Sequence, residues 1–142
     1  MESPKPRVLI LCTGNSARSQ MAEGLLRAAM HGQVAVFSAG TKPTTVRPEA
    51  IAVMAELGID ISGHRSKHVD ELSADRFDYV ITVCGAADGD CPVFPNAPRR
   101  IHWNVPDPAA VEGNLEKRLE AFRRISDALA DSLDRFARAN LR

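Results

Sequence analysis

The run Cys12-Thr-Gly-Asn-Ser-Ala-Arg18-Ser19 places a thiol, an arginine and a serine around a short polar stretch. A loop that wraps from a strand into a helix N-terminus turns successive backbone N–H groups toward one point, which suits an anion. Gly14 and Asn15 tolerate the unusual backbone angles of such a turn. Arg18 returns over the cavity with a planar fork of donors matched to a tetrahedral oxyanion. Those donors, with the helix dipole, also favour thiolate over thiol at Cys12, making it a nucleophile near neutral pH. Ser19 is spaced to donate a hydrogen bond to that thiolate, and Asn15 to hold the loop in shape. Cys12 is thus the candidate nucleophile, and Thr13, Gly14, Asn15, Ser16, Ala17, Arg18 and Ser19 its oxyanion cradle. The run lacks the Gly-Lys-Ser/Thr ending of an ATP-binding loop.

The flanking segments supply the elements that must position this loop. Arg7 to Cys12 is a continuous apolar run, as in a strand buried on both faces. Apolar residues at 21, 25, 26, 29 and 30 mark a helical face over Met21 to Met30. Val34 to Ser38 reads as a second strand, closed by a turn over Ala39 to Pro43. Pro48 opens a helix that runs to Leu57, with Gly58 as its stop. One short helix is expected near Asp70 to Ala74. Asp78 to Cys84 repeats the pattern of the first strand, again ending in a cysteine. Gly85 to Pro98 is an irregular loop, Arg100 to Trp103 a fourth strand, and Asn104 to Asn114 another loop. Leu115, Leu119, Phe122, Ile125, Leu129, Leu133 and Phe136 then recur at steps of three and four, which is a long amphipathic helix. Trp103 is expected to pack against the sheet. Alternating strands and helices define an α/β class with a mostly parallel sheet, and residues 1–142 read as one domain.

Composition narrows the functions open to that fold. Among the 142 residues, 18 basic and 18 acidic side chains balance to zero, so no basic excess exists to hold nucleic-acid phosphates. Aromatic residues are only 5%, leaving few rings on which bases could stack. No apolar run approaches the roughly 18 residues of a membrane span, and the apolar run Val8 to Cys12 is too short for a signal peptide. The expectation is a cytoplasmic protein without nucleic-acid or membrane partners. Its three cysteines, Cys12, Cys84 and Cys91, cannot all pair, which argues against a structural disulfide framework. His64, His68 and His102 do not fall at zinc-ligand spacing, so no metal site is expected.

The stretch Cys12 to Glu23 resembles the signature of the low-molecular-weight protein tyrosine phosphatase superfamily, and within it the thioredoxin-coupled arsenate reductases. The resemblance continues through Ser38-Ala-Gly40, Gly58-Ile-Asp-Ile-Ser62 with His64, Val83-Cys84, Cys91-Pro92 and Asp107-Pro108. It implies a four-stranded parallel sheet flanked by helices, with the loop at the C-terminal end of the first strand. It also implies reduction of arsenate to arsenite for arsenic detoxification, with thioredoxin as the electron donor. Such a reduction needs two electrons, and a thiol pair becoming a disulfide supplies two. In that scheme Cys12 attacks arsenic, Cys84 takes over the bond, and Cys91 takes it from Cys84. The seven-residue step from Cys84 to Cys91 contains glycine, so closing that ring costs little loop entropy.

By the same resemblance Asp107 is the general acid that protonates the leaving oxygen. Glu23, Ser38 and His64 match polar positions around the loop, near which some relatives hold potassium. Arg65 and Lys67 stand here where a cation would want oxygen ligands, so Lys67 is expected to supply the positive charge, with no tightly bound cofactor. The alternatives are a low-molecular-weight phosphatase and a glutaredoxin- or mycothiol-coupled reductase. Against the former, Asp107-Pro108 is followed by Ala109-Ala110 rather than tyrosines. Phosphate resembles arsenate, so a weak side activity on aryl phosphates is expected. The chain is expected to act as a monomer.

Overall fold

The computed structural model describes residues 5–72, 75–84 and 98–141. Four parallel strands form one sheet: β1 (Arg7–Cys12), β2 (Ala35–Gly40), β3 (Tyr79–Thr82) and β4 (Arg99–His102), in the order β2-β1-β3-β4. Three helices accompany them: α1 (Arg18–Met30), α2 (Pro48–Glu56) and α3 (Leu115–Asn140). The expected single-domain α/β fold, a four-stranded parallel sheet flanked by helices, is the one observed.

Strand periodicity divides the core between the two faces of the sheet. Val8, Ile10 and Cys12 of β1 pack with Met21, Leu26, Val53, Met54, Phe122, Leu129 and Leu133 from the three helices. Leu9 and Leu11 point the other way and pack with Ala39, Phe77 and Val80. The central strand β1 is covered on both sides, which is why its sequence is apolar without alternation. Trp103 joins the helical side, edge-on to Phe136 with ring centroids 6.3 Å apart.

Of the boundaries that differ from the sequence reading, two bear on function. The helical pattern begins at Met21, yet α1 begins at Arg18, because its first turn buries polar rather than apolar side chains. Ala39 and Gly40, expected in a turn, complete β2 and pair with Leu11 and Cys12. Gly40 is needed for closeness, not for a turn. A Cβ there would lie 2.8 Å from the Cys12 carbonyl oxygen and closer still to that of Thr13. The short helix expected near Asp70 is a 3-10 turn over Val69–Leu72.

The chain leaves β1 toward β2 on one side and returns to β3 on the other. The direction of winding therefore reverses around β1, and the crevice beyond the C-terminal strand ends at such a switch point is where α/β folds hold ligands. Cys12 ends β1 at that crevice.

Candidate active site

The loop after β1 is held from outside by its carbonyls. Those of Thr13, Gly14 and Ser16 accept from the backbone N–H groups of Lys42 (2.9 Å), Thr44 (3.1 Å) and Arg47 (2.8 Å). The Asn15 carbonyl accepts from Gln20 Nε2 (3.1 Å) and Ser66 Oγ (2.6 Å). In a trans peptide the N–H of the next residue points opposite to the carbonyl. The N–H groups of Gly14, Asn15, Ser16 and Ala17 are thereby turned to the other side. Among the described residues, none of the four finds a protein acceptor. Ala17, which caps α1, offers no side-chain acceptor to the helix either. Asn15 sustains the turn with a left-handed φ of 47°. The result is a set of amide donors at a helix N-terminus, as an anion requires.

Cys12 is a free, buried thiol at the root of this loop. Its Sγ lies 2.8 Å from Ser19 Oγ. Ser19 Oγ in turn accepts from Asn15 Nδ2 (2.8 Å), so its own hydrogen is left for the sulfur. Arg18 is 5% exposed, and its Nη1 donates to the Val105 carbonyl at 3.0 Å. Asp107 Oδ2 stands 4.0 Å from Arg18 Nη2, while Oδ1 caps the following turn by accepting from the Ala109 N–H at 2.9 Å. The candidate acid is thus beside the candidate oxyanion clamp, on a carboxyl that is 38% exposed and able to meet a substrate.

Cys84 follows β3, the parallel neighbour of β1, with Leu11 paired to Thr82. The Val83 N–H donates to the Leu11 carbonyl (2.9 Å), so β3 stays beside β1 up to the two cysteines. Cys84 is buried and disulfide-bonded. Val105 links it to the arginine: the Val105 N–H meets the Cys84 carbonyl at 3.4 Å, and the Val105 carbonyl takes Arg18. Cys91 lies outside the described residues.

Behind the loop, a buried polar network joins the supporting residues named from sequence to others that were not. Asn15 Nδ2 donates to Ser38 Oγ (3.0 Å), and Ser38 donates to Glu23 Oε1 (2.6 Å). Glu23 Oε2 pairs with Arg27 Nη2 at 2.7 Å, and the same nitrogen reaches the Val36 carbonyl at 2.7 Å. His64 joins through Nε2, 3.5 Å from Glu23 Oε2 and 3.1 Å from Arg27 Nη1. Its Nδ1 lies 2.9 Å from Gln20 Oε1, which can only accept, so Nδ1 carries a hydrogen and Nε2 accepts from Arg27. Burial, and then the charges of Arg27 and Lys67, push the His64 pKa below its ordinary value, although Glu23 opposes this.

Lys67 was expected to supply the positive charge here, and the ion pair with Glu23 is made by Arg27. Lys67 sits half-buried nearby with Nζ 3.4 Å from the Arg65 carbonyl, and burial lowers its pKa while Glu23 favours its charged form. Both oxygens of Glu23 are engaged, one by a hydroxyl and one by a guanidinium. Arg27 and the Val105 carbonyl had no signal in the sequence, and Gln20 had only its place within the Cys12 to Glu23 stretch. Gln20 and Arg27 fall at helix positions where periodicity registers only polarity, and a carbonyl has no residue type.

A family model described as low molecular weight phosphotyrosine protein phosphatase matches residues 7–142. The chain belongs to that family. Within it, the chain is 41% identical over 133 residues to an arsenate reductase of Halalkalibacterium halodurans, covering 94% of this chain and 96% of that protein. Among solved structures it is similar to an arsenate reductase in the phosphate binding state, with a TM-score of 0.79 and 34% identity. That match covers 92% of this chain and 95% of the other. It is also similar to a thioredoxin-dependent arsenate reductase of Corynebacterium glutamicum, with a TM-score of 0.63 and 30% identity over 94% of this chain and 64% of that one. Among the described residues no helix is long and apolar enough to cross a membrane.

Proposed function

We infer that this chain is an arsenate reductase that uses its three cysteines in turn and is regenerated by thioredoxin. The observation that carries the reading is the pair of buried cysteines at the same end of adjacent parallel strands, one ending β1 and the other following β3. One is a free thiol on the anion loop, and the other is in a disulfide. A hydrolytic phosphatase needs only the first.

In the first step Cys12 thiolate attacks arsenic(V), held by the loop amides and Arg18, and forms an S–As bond. Asp107 gives a proton to the departing oxygen, which leaves as water. In the second, Cys84 as thiolate attacks the Cys12 sulfur. The S–As bond breaks with its electron pair remaining on arsenic, so arsenic is reduced to arsenite while the two cysteines are oxidised to a disulfide. In the third, Cys91 thiolate attacks the Cys84 sulfur and expels Cys12 as thiolate. Thioredoxin then reduces the Cys84–Cys91 disulfide. One arsenate and two thiols thus give one arsenite, one disulfide and water.

Support for thioredoxin comes from the seven-residue step between Cys84 and Cys91 and from the description of the Corynebacterium glutamicum relative. The protein works as a monomer in the cytoplasm, with arsenate as substrate and thioredoxin as its protein partner. No monovalent cation is required, because Arg27 already neutralises Glu23.

The test is arsenate-dependent NADPH oxidation with thioredoxin and its reductase, run beside glutaredoxin with glutathione and beside mycothiol. Activity with thioredoxin alone is expected, unchanged when KCl is replaced by choline chloride. Cys91→Ser should stop after about one turnover per enzyme. Sustained turnover by that variant would sink the relay. Strong aryl-phosphate hydrolysis without arsenate reduction would instead make the protein a phosphatase.

A further inference from the structure

We propose that Gln20 is a positioning residue for Cys12: it fixes which way round the Asn15 amide sits and so directs the Ser19 hydrogen onto sulfur. The proposal rests on Cys12 being the nucleophile, but not on the identity of the oxyanion.

An amide side chain offers hydrogens at one end and lone pairs at the other, and the two ends have nearly the same shape. Asn15 Oδ1 receives two donors, Gln20 Nε2 at 3.0 Å and the Lys67 N–H at 3.0 Å. Nδ2 therefore faces the hydroxyls of Ser19 and Ser38, giving one hydrogen to each. Ser38 passes its own hydrogen to Glu23, and Ser19 is left with Cys12. Turned over, the amide would present its oxygen to both hydroxyls. Ser19 would then donate to Asn15, and its lone pairs would face the sulfur, which favours S–H over the thiolate.

Gln20 is itself held one way round. Its Nε2 lies within 3.1 Å of two backbone carbonyl oxygens, Asn15 O and Arg65 O, which cannot donate. Its Oε1 takes the hydrogen of His64 Nδ1. The side chain is fully buried, so no water competes for these bonds. Of the two donors on Asn15 Oδ1, the Lys67 N–H is backbone, and Gln20 is the one a side-chain change can remove.

The test reads Cys12 alone, in protein carrying Cys84→Ser and Cys91→Ser, by the rate of iodoacetamide alkylation between pH 5 and 9. The parent should react at pH 6, and Gln20→Leu should lower that rate about fivefold and move the profile to higher pH, the effect of one lost hydrogen bond. Gln20→Glu keeps the shape and the bond from His64 while facing Asn15 with an acceptor. It should therefore favour the inverted amide and lower the rate further. In a Ser19→Ala background Gln20→Leu should add nothing, because the effect runs through the Ser19 hydroxyl. An unchanged profile in a cooperatively melting Gln20 variant overturns the proposal. So does an equal loss with and without Ser19. A parent whose Cys12 shows no reactivity at pH 6 would instead remove the nucleophile reading, and this proposal with it.

Discussion

Replacing Arg27 by Met should reverse the sign of the His64 contribution to stability. Glu23 is buried, with 6% of its side chain exposed, and Arg27 is the cation 2.7 Å from it. Breaking a buried ion pair from one side costs about 3–5 kcal/mol. Nearly half of the Arg27 side chain is exposed, so the estimate falls to about 2–3 kcal/mol at pH 8, where His64 is neutral. In the wild type the pKa of His64 is lowered by burial, Arg27 and Lys67. The unfolded state then binds the proton more readily, so the His64 contribution is complete above about pH 6.5 and is lost as pH falls below it. Without Arg27, the donor on Nε2 and one repelling charge are gone, and Glu23 stands 3.5 Å away with no other ion-pair partner among the described residues. A protonated His64 becomes that partner, its folded pKa rises above the unfolded value, and its stabilisation is present below about pH 6.5 and lost as pH climbs through the raised value. A charge-assisted bond of about 1.5–3 kcal/mol should leave a penalty near 1 kcal/mol or less at pH 5.5. Urea unfolding followed by Trp103 fluorescence at pH 5.5 and 8.0 measures both differences, and other carboxylates cancel between the two proteins. A penalty equal or larger at pH 5.5 would refute the assignment of His64 as the reserve partner of Glu23.

Two other substitutions probe the loop and the acid. Gly40→Ala would drive a methyl group against the carbonyls of Thr13 and Cys12, so the loop must shift. Phosphate should then no longer protect Cys12 from alkylation, and the melting temperature should fall; protection as in the wild type would show that the loop tolerates the methyl. Asp107→Asn keeps an oxygen to cap the Pro108–Ala110 turn, so the fold should hold while the candidate proton donor is lost. The rate of the first turnover should drop about 10²-fold or more, and an unchanged single-turnover rate in a quenched-flow measurement would remove Asp107 from the chemistry.

How much of this site could be read in the sequence depends on whether a residue acts by its type or by its orientation. Cys12, Arg18 and Ser19 were legible as candidates because a thiol, a planar cation and a hydroxyl between a strand and a helix suit an anion site, and the structure brings them together there. β1 was legible because a strand covered on both faces must be apolar throughout. The start of α1 was not, and the reason is physical. Arg18, Ser19, Gln20 and Glu23 are all buried, but they face a polar network instead of the core, so hydrophobic periodicity scores them as solvent-facing. Gly40 was misread for the opposite reason: glycine commonly marks a turn, and here it serves close approach inside a strand. A buried polar turn is costly unless every group in it is satisfied. The bonds found for Asn15, Gln20, Glu23, Ser38 and His64 satisfy those side chains with partners drawn from positions 15 to 67. Such closure depends on which end of each amide and ring faces which neighbour, and that choice is made only when β2 and the 61–68 segment fold against the loop. The candidate nucleophile can therefore be named from twelve residues of sequence, whereas the direction of the hydrogen bond at its sulfur requires the whole fold.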